Sequence, residues 1–263
     1  MNKLPLSVAI IANNEEDRIV TTLSSLKDIA GEIIVIDSHS SDNTVSIAKE
    51  FGAKVFVEDW KGFAGQKNSL TQKCSQDWIL YLDADEAITK DLAQEISNVI
   101  HENKADGFFI NRKTHYLGKL LKHAWQPNYR LRLVKKSAKP HWVGEIVHEE
   151  LKIEGKTLNL VHHLEHYSYR DIDDHFKRTI KYAKLSAKSY YLKGKKPSVF
   201  KLLVNPVFSF TKLYLIKLGF LDGIAGLVAG VSAFIYTFLK YAFLYEFYKN
   251  KAVFKDNEVD DNK

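Results

Sequence analysis

Four short apolar runs in the first hundred residues, each parted from the next by one helix-length stretch, limit what this chain can fold into more than any other feature. Leu6–Ala12, Glu32–Asp37, Lys54–Glu58 and Trp78–Leu82 read as strands. The first two are continuous and rich in β-branched residues, the mark of strands buried on both faces. Between the runs, Glu15–Leu26 carries Ile19, Leu23 and Leu26 at helical spacing, and Thr44–Phe51 is a short helix ended at Gly52. Gly65–Ser75 and Leu92–Ile100 are the next helix candidates. Strands joined by single helices run parallel. An open α/β sheet follows, and ligands of such sheets sit at the carboxyl ends of the strands.

The pattern changes downstream. From Phe108 to Leu160, short alternating stretches are split by loops rich in His, Trp and Pro, as expected of a substrate-facing half on the same core. Asp171–Lys193 reads as a long polar helix, and residues 200–248 hold 13 of the 32 aromatics. Between Asp174 and Asp222 there is no acidic residue but there are eleven basic ones, which leaves the rest of the chain with 27 basic against 32 acidic side chains. An acidic body with a basic, aromatic arm is the expected organisation: residues 1–170 catalytic (split near 105), 171–250 a helical arm, and 251–263 a disordered polar tail. One cysteine, Cys74, excludes an intramolecular disulfide framework and fits a reducing compartment. The early apolar run stops at Asn13-Asn14-Glu15-Glu16, too soon for an export signal.

The usual devices of α/β ligand sites are absent: the sequence has no G-x-G, no phosphate-binding G-x-x-x-x-G-K and no G-x-S-x-G elbow. It offers acids at strand ends instead. Asp37 closes the second strand, and Asp83 and Asp85 close the fourth in Asp83-Ala84-Asp85-Glu86. Carboxylates at i and i+2 after a buried strand can hold one hard divalent cation together with water and phosphate oxygens. The competing reading is that Asp83 caps the helix beginning near Thr89 and the other acids are merely solvated.

Four segments together resemble the inverting family 2 nucleotide-sugar glycosyltransferases of GT-A fold. They are Ile10-Ile11-Ala12-Asn13-Asn14-Glu15-Glu16, Val35-Ile36-Asp37-Ser38-His39-Ser40-Ser41-Asp42-Asn43-Thr44, Gln66-Lys67-Asn68 and Asp83-Ala84-Asp85-Glu86. Val147-His148-Glu149-Glu150-Leu151, His166-Tyr167-Ser168-Tyr169 and Gly219-Phe220-Leu221-Asp222-Gly223 narrow the likeness to small bacterial enzymes that add a sugar, often glucose, to the inner core of lipopolysaccharide. His39 is a departure, since glycine is commoner there. The resemblance implies that Ala12, Glu15 and Asp37 contact the nucleotide, that Lys67 meets the diphosphate, and that Asp85, with Asp83 more weakly, holds Mg²⁺ or Mn²⁺. It makes Asp42 a loop-ordering residue, with helix capping an equal alternative. Glu149 becomes the base that takes the acceptor proton, with Glu145 as second choice. The implied partners are UDP-glucose and a lipid-linked oligosaccharide, at the cytoplasmic face of the inner membrane.

Three other readings compete. His162-His163-Leu164-Glu165-His166 satisfies a zinc-peptidase signature, but that chemistry needs the motif on a helix and here it follows a strand-like stretch. His166 alone could instead assist the metal at Asp85. The basic arm has the charge of a nucleic-acid surface, yet the apolar and aromatic residues after it favour lipid over nucleic acid. Gly223–Leu239 is 17 residues without charge, short for a span and suited to lying in an anionic interface. Packing on the core is the alternative, as is an oligomer contact through Gly219-x-x-x-Gly223 and Gly226-x-x-x-Gly230.

Overall fold

The computed structural model describes residues 3–144 and 149–250 and divides into two compact units. Glu145 and the Val147-His148 pair lie outside the described residues. The first unit holds residues up to Thr114 together with Pro127–Ser168; the second holds His115–Gln126 and the chain from Tyr169 onward.

In the first unit, β1 (Leu6–Ala12), β2 (Glu32–Asp37), β3 (Lys54–Val57) and β4 (Trp78–Asp83) form a parallel array in the order β3-β2-β1-β4. Helices α1 (Ile19–Ser25), α2 (Thr44–Glu50) and α3 (Gly62–Lys73) make the crossovers. The strand order reverses between β1 and β4, so their carboxyl ends open a crevice of the kind where ligands of open α/β sheets bind. Leu6, Val8, Ile10 and Ala12 of β1 join one core cluster with Ile19 and Leu23 of α1. Ala9 faces the other cluster with Ile34, Ile36, Ile79, Tyr81 and Leu70 of α3. Apolar residues therefore fill both phases of these strands, which is why the runs read as continuous.

The sheet continues past β4 through β8 (Tyr129–Lys135), β6 (Gly107–Tyr116), β11 (Thr157–His166) and β5 (Glu86–Ile88). These added pairings are antiparallel except β6 with β11. Helix α4 (Lys90–Glu102) follows β5, and β9 (His141–Val143) pairs antiparallel with β10 (Glu150–Lys152). Two expected helices shift: the chain from Glu15 to Arg18 is a turn, so α1 begins at Ile19, and α3 begins at Gly62. β5 was not legible, being three residues long, too short to display a period.

The second unit is helical. It comprises α5 (Ile172–Leu192), α6 (Val199–Thr211) continuing as a π-helical turn over Lys212–Ile216, a 3-10 turn over Gly219–Asp222, and α7 (Ile224–Lys249). The turn into α7 is anchored by Asp222, whose carboxylate accepts from the backbone N–H of Lys122, His123 and Ala124 at 3.0, 3.0 and 2.7 Å. A Cβ on Gly226 would fall 1.8 Å from the Gly219 carbonyl oxygen, and one on Gly230 would press on the Phe210 ring. The small-residue stripe is thus consumed by packing within this unit.

Candidate active site

The site assembles at the carboxyl ends of β1, β2 and β4. The loops after β1 and β2 are sewn into one structure. Asn13 Nδ2 donates to the Ser38 carbonyl at 2.6 Å, the Ser41 N–H donates to Asn14 Oδ1 at 2.8 Å, and the Asn43 N–H to Glu16 Oε2 at 2.9 Å. Asp37, almost fully buried, accepts from the Ser40 N–H at 2.8 Å and from the Ser40 hydroxyl. Asp42 accepts from the Glu16 N–H at 3.2 Å and the Thr44 N–H at 3.0 Å, tying the loop after β1 to the start of α2, whose N-cap is Asn43. Ala12 receives the Ser38 N–H at its carbonyl, 3.0 Å away, and Glu15 binds Arg18. His39 takes φ +57°, a left-handed conformation in which glycine would be unstrained.

Three successive residues of α3 reach three different segments. Gln66 donates to Ser38 Oγ at 3.0 Å; its own Oε1 is buried without a hydrogen-bond partner among the described residues. Lys67, only 3% exposed, places Nζ 3.1 Å from Asp83 Oδ1 and 3.2 Å from Glu149 Oε1, and 4.5 Å from the centre of the Trp142 ring. Asn68 exchanges hydrogen bonds with the Trp142 backbone at 2.8 and 2.9 Å, fixing β9 against α3. The lysine is therefore not a solvated helix residue. Glu149 does pair with a lysine, and that lysine also holds Asp83.

Asp83 does not cap α4; Thr89 does, accepting the Leu92 N–H at its hydroxyl. Arg132 Nη2 donates to Asp83 Oδ2 and to Glu86 Oε1, both at 2.8 Å, and Arg112 lies 3.4 Å from Asp83 and 2.9 Å from Glu86. Burial alone would raise the Asp83 carboxyl, but Arg132, Lys67 and Arg112 hold it well below the ordinary carboxylate range. Burial likewise opposes ionisation of Asp85, and His166 and Arg18 more than offset it, so its pKa also falls. Asp85 Oδ1 lies 3.6 Å from His166 Nε2 and its Oδ2 lies 3.5 Å from Arg18 Nη1. The His166 ring is held by Ser168 Oγ at 2.7 Å. The four carboxylates are thus matched by buried cations, with Asp83 the most heavily neutralised.

A cation at this site would find Asp85 first, with the His166 imidazole beside it. No three His, Cys, Asp or Glu side chains converge to cage a metal among the described residues. Its remaining ligands would have to be water and phosphate oxygens, the ordinary manner of Mg²⁺ binding. The donor set fits that chemistry at Asp85; Asp83, committed to three cations, fits it less well. The His162–His166 motif lies on β11, where His162 pairs with Glu95 at 2.9 Å and His166 faces Asp85, so a shared zinc is excluded.

Sequence reasoning missed Arg18, Glu86, Arg112 and Arg132. A signal existed for Arg132: it alternates with Leu131 and Leu133, both buried, in a strand rich in apolar residues, where a charge must have a partner. Arg130, next but one on β8, makes no ion pair among the described residues, and burial followed by repulsion from Arg112 and Arg132 lowers its pKa.

Comparison with known proteins gives the family and the fold. The Glycosyl transferase family 2 model matches residues 7–150. A glycosyltransferase of Rickettsia typhi with no assigned reaction is 32% identical over 253 residues, covering 92% of this chain and 87% of that one. The lipopolysaccharide core biosynthesis glycosyltransferase LpsC of Rhizobium meliloti is 29% identical over 262 residues, covering 95% of each chain. The crystal structure of S. aureus TarS 1-349 in complex with UDP superposes with a TM-score of 0.50 at 16% identity, over 97% of this chain and 94% of that one.

Proposed function

We propose that this chain, which belongs to glycosyl transferase family 2, transfers a hexose with inversion from a UDP-sugar to a lipid-linked glycan. Glucose is the proposed sugar, and the inner core of lipopolysaccharide the proposed acceptor. The observation that carries the acceptor class is the likeness to LpsC over nearly the whole of both chains. The UDP complex of TarS and the acid-lined crevice at the strand-order reversal support the donor.

The reaction follows from the residues gathered there. The acceptor hydroxyl attacks the anomeric carbon on the face opposite the diphosphate. A new C–O bond forms as the bond from that carbon to the phosphate oxygen breaks, and the electron pair leaves with UDP. Glu149, oriented by Lys67 at 3.2 Å, takes the hydroxyl proton. Lys67 and Arg112, which with Arg132 surround Asp83 at the carboxyl end of β4, would face the charge gathering on the leaving diphosphate. Asp37 and Glu15, on the sewn loops, would contact the nucleoside. Mg²⁺ or Mn²⁺ held at Asp85 would supply further neutralisation of the diphosphate. A cytoplasmic site of action suits a nucleotide-sugar donor and the unpaired, buried Cys74.

Purified full-length chain should release UDP from UDP-glucose only when a core-truncated lipopolysaccharide and a divalent cation are both supplied. Failure with every UDP-sugar would overturn the donor. Transfer to a different surface glycan, with lipopolysaccharide inert, would favour the alternative of another envelope polysaccharide.

A further inference from the structure

Among the described residues, the second unit leaves a large apolar face uncovered. On α6 and its π-helical extension, Phe200 (72% exposed), Leu203, Val207, Phe208 and Ile216 all project into solvent. On α7, Ile224 (76% exposed), Leu227, Val231, Phe234 and Phe238 recur at alternating spacings of three and four residues, a single stripe. Isolated exposed apolar side chains are ordinary; a continuous array along two helices is not.

The charge around this face selects its occupant. Lys193, at the end of α5, and Lys195 and Lys196 lead into α6, Lys201 lies in its first turn, Lys212 and Lys217 stand at its far end, and no acid occurs between Asp174 and Asp222. Two copies of the face would bring like charges together. The glycines that might have let a partner helix approach are already filled by Phe210 and the Gly219 carbonyl. An anionic lipid surface satisfies both the apolar face and its basic margin.

Two helices, Val199–Ile216 and Ile224–Lys249, are long and apolar enough to cross a bilayer. The packing of α5 argues against a crossing. Ala187, Tyr190 and Tyr191 of α5 pack with Tyr241, Leu244 and Phe247 of α7, and Ser186 bonds Tyr236 at 2.7 Å. A spanning α7 would carry α5 into the hydrocarbon with Lys181, Lys184 and Lys188, each costly to desolvate there. We propose that the exposed face of α6 and of the first half of α7 seats in one leaflet of an anionic membrane without crossing it, while α5 remains on the aqueous side. The inference rests on the helical unit alone and is independent of the reaction.

The test is flotation of the full chain with preformed vesicles of phosphatidylcholine, with and without phosphatidylglycerol. Wild-type chain should float with the anionic vesicles and be released by alkaline carbonate. Changing Phe200→Ser, Leu203→Ser and Phe208→Ser together should weaken binding by roughly 100-fold or more, since each ring or branch leaves the lipid. The fold should be unchanged, as the three side chains are already exposed. Lys193→Gln, Lys195→Gln and Lys196→Gln together should weaken binding about tenfold or more on the anionic vesicles, and the difference should vanish at high salt. Binding that ignores the serine substitutions would overturn the proposal. So would a lipid-free dimer dissociated by those substitutions in a chain that never floats. Chain that resists carbonate and yields only to detergent would overturn the single-leaflet seat in favour of a span.

Discussion

Replacing Arg132 by methionine removes the buried cation on which the acidic cluster is built, while keeping the length and apolar stem of the side chain. The guanidinium is 3% exposed, and burial opposes its charge, yet Asp83 and Glu86 raise its pKa overall. Removing one partner of a buried ion pair costs about 3–5 kcal/mol, because the other charge stays buried. Here the loss is cushioned. Glu86, fully buried, would keep Arg112 Nε at 2.9 Å and the Asp83 N–H at 2.9 Å, and Asp83 would keep Lys67. The lower end, about 3 kcal/mol, is the expected destabilisation. Guanidinium chloride unfolding followed by tryptophan fluorescence reads it as a fall in the midpoint, with buried Trp78 and Trp142 reporting on the first unit. Arg132→Lys, which keeps a cation at the site, should lose less than Arg132→Met. A loss under about 1 kcal/mol for Arg132→Met, or an Arg132→Lys variant no more stable than Arg132→Met, would refute the claim that this buried cation anchors the cluster.

Asp85→Asn should abolish divalent-dependent turnover of the UDP-sugar in a chain that still folds, with a lower unfolding midpoint because Arg18 and His166 lose their carboxylate partner; undiminished transfer would remove Asp85 from the cation site. Glu149→Gln should preserve donor binding and lower transfer by ~10²–10⁴-fold, with loss of the acid limb of the pH–rate profile. Glu145→Gln, four positions earlier in the sequence, is the control, and a reversed outcome would move the base to Glu145. Glu32, against whose ionisation burial works, is nonetheless held at about 2 by Ser7, Ser75 and Lys54. Its contribution is therefore present above about pH 4.5 and is lost as pH falls toward 2; it amounts to ~3 kcal/mol for this side chain, 7% exposed. Glu32→Gln should lower stability at neutral pH by that order and flatten the loss between pH 4.5 and 2, and an unchanged acid limb would contradict it.

The local pattern of residues determined much of this molecule. The apolar runs of β1, β2 and β4 are continuous because both faces of the sheet are covered, and burial on two faces leaves no other composition open to a strand. A parallel sheet puts all its carboxyl ends on one side, so Asp37, Asp83 and Asp85 had to share an edge. The long polar helix and the apolar arm were equally plain, being periodic or compositional over many residues.

Tertiary structure alone decided what those acids face. Lys67 of α3 meets Glu149 across 82 positions, and Arg132 meets Glu86 across 46 because β8 inserts beside β4. Periodicity reports which face of an element is buried and says nothing about which strand becomes its neighbour. His166 reaches Asp85 because β11 pairs with the three-residue β5, a strand too short to leave a pattern. The grouping of His115–Gln126 with the helical unit has the same origin. Three backbone N–H groups of that segment are satisfied by Asp222, about a hundred residues later, a pairing that depends on the path of the chain and on nothing in the local sequence.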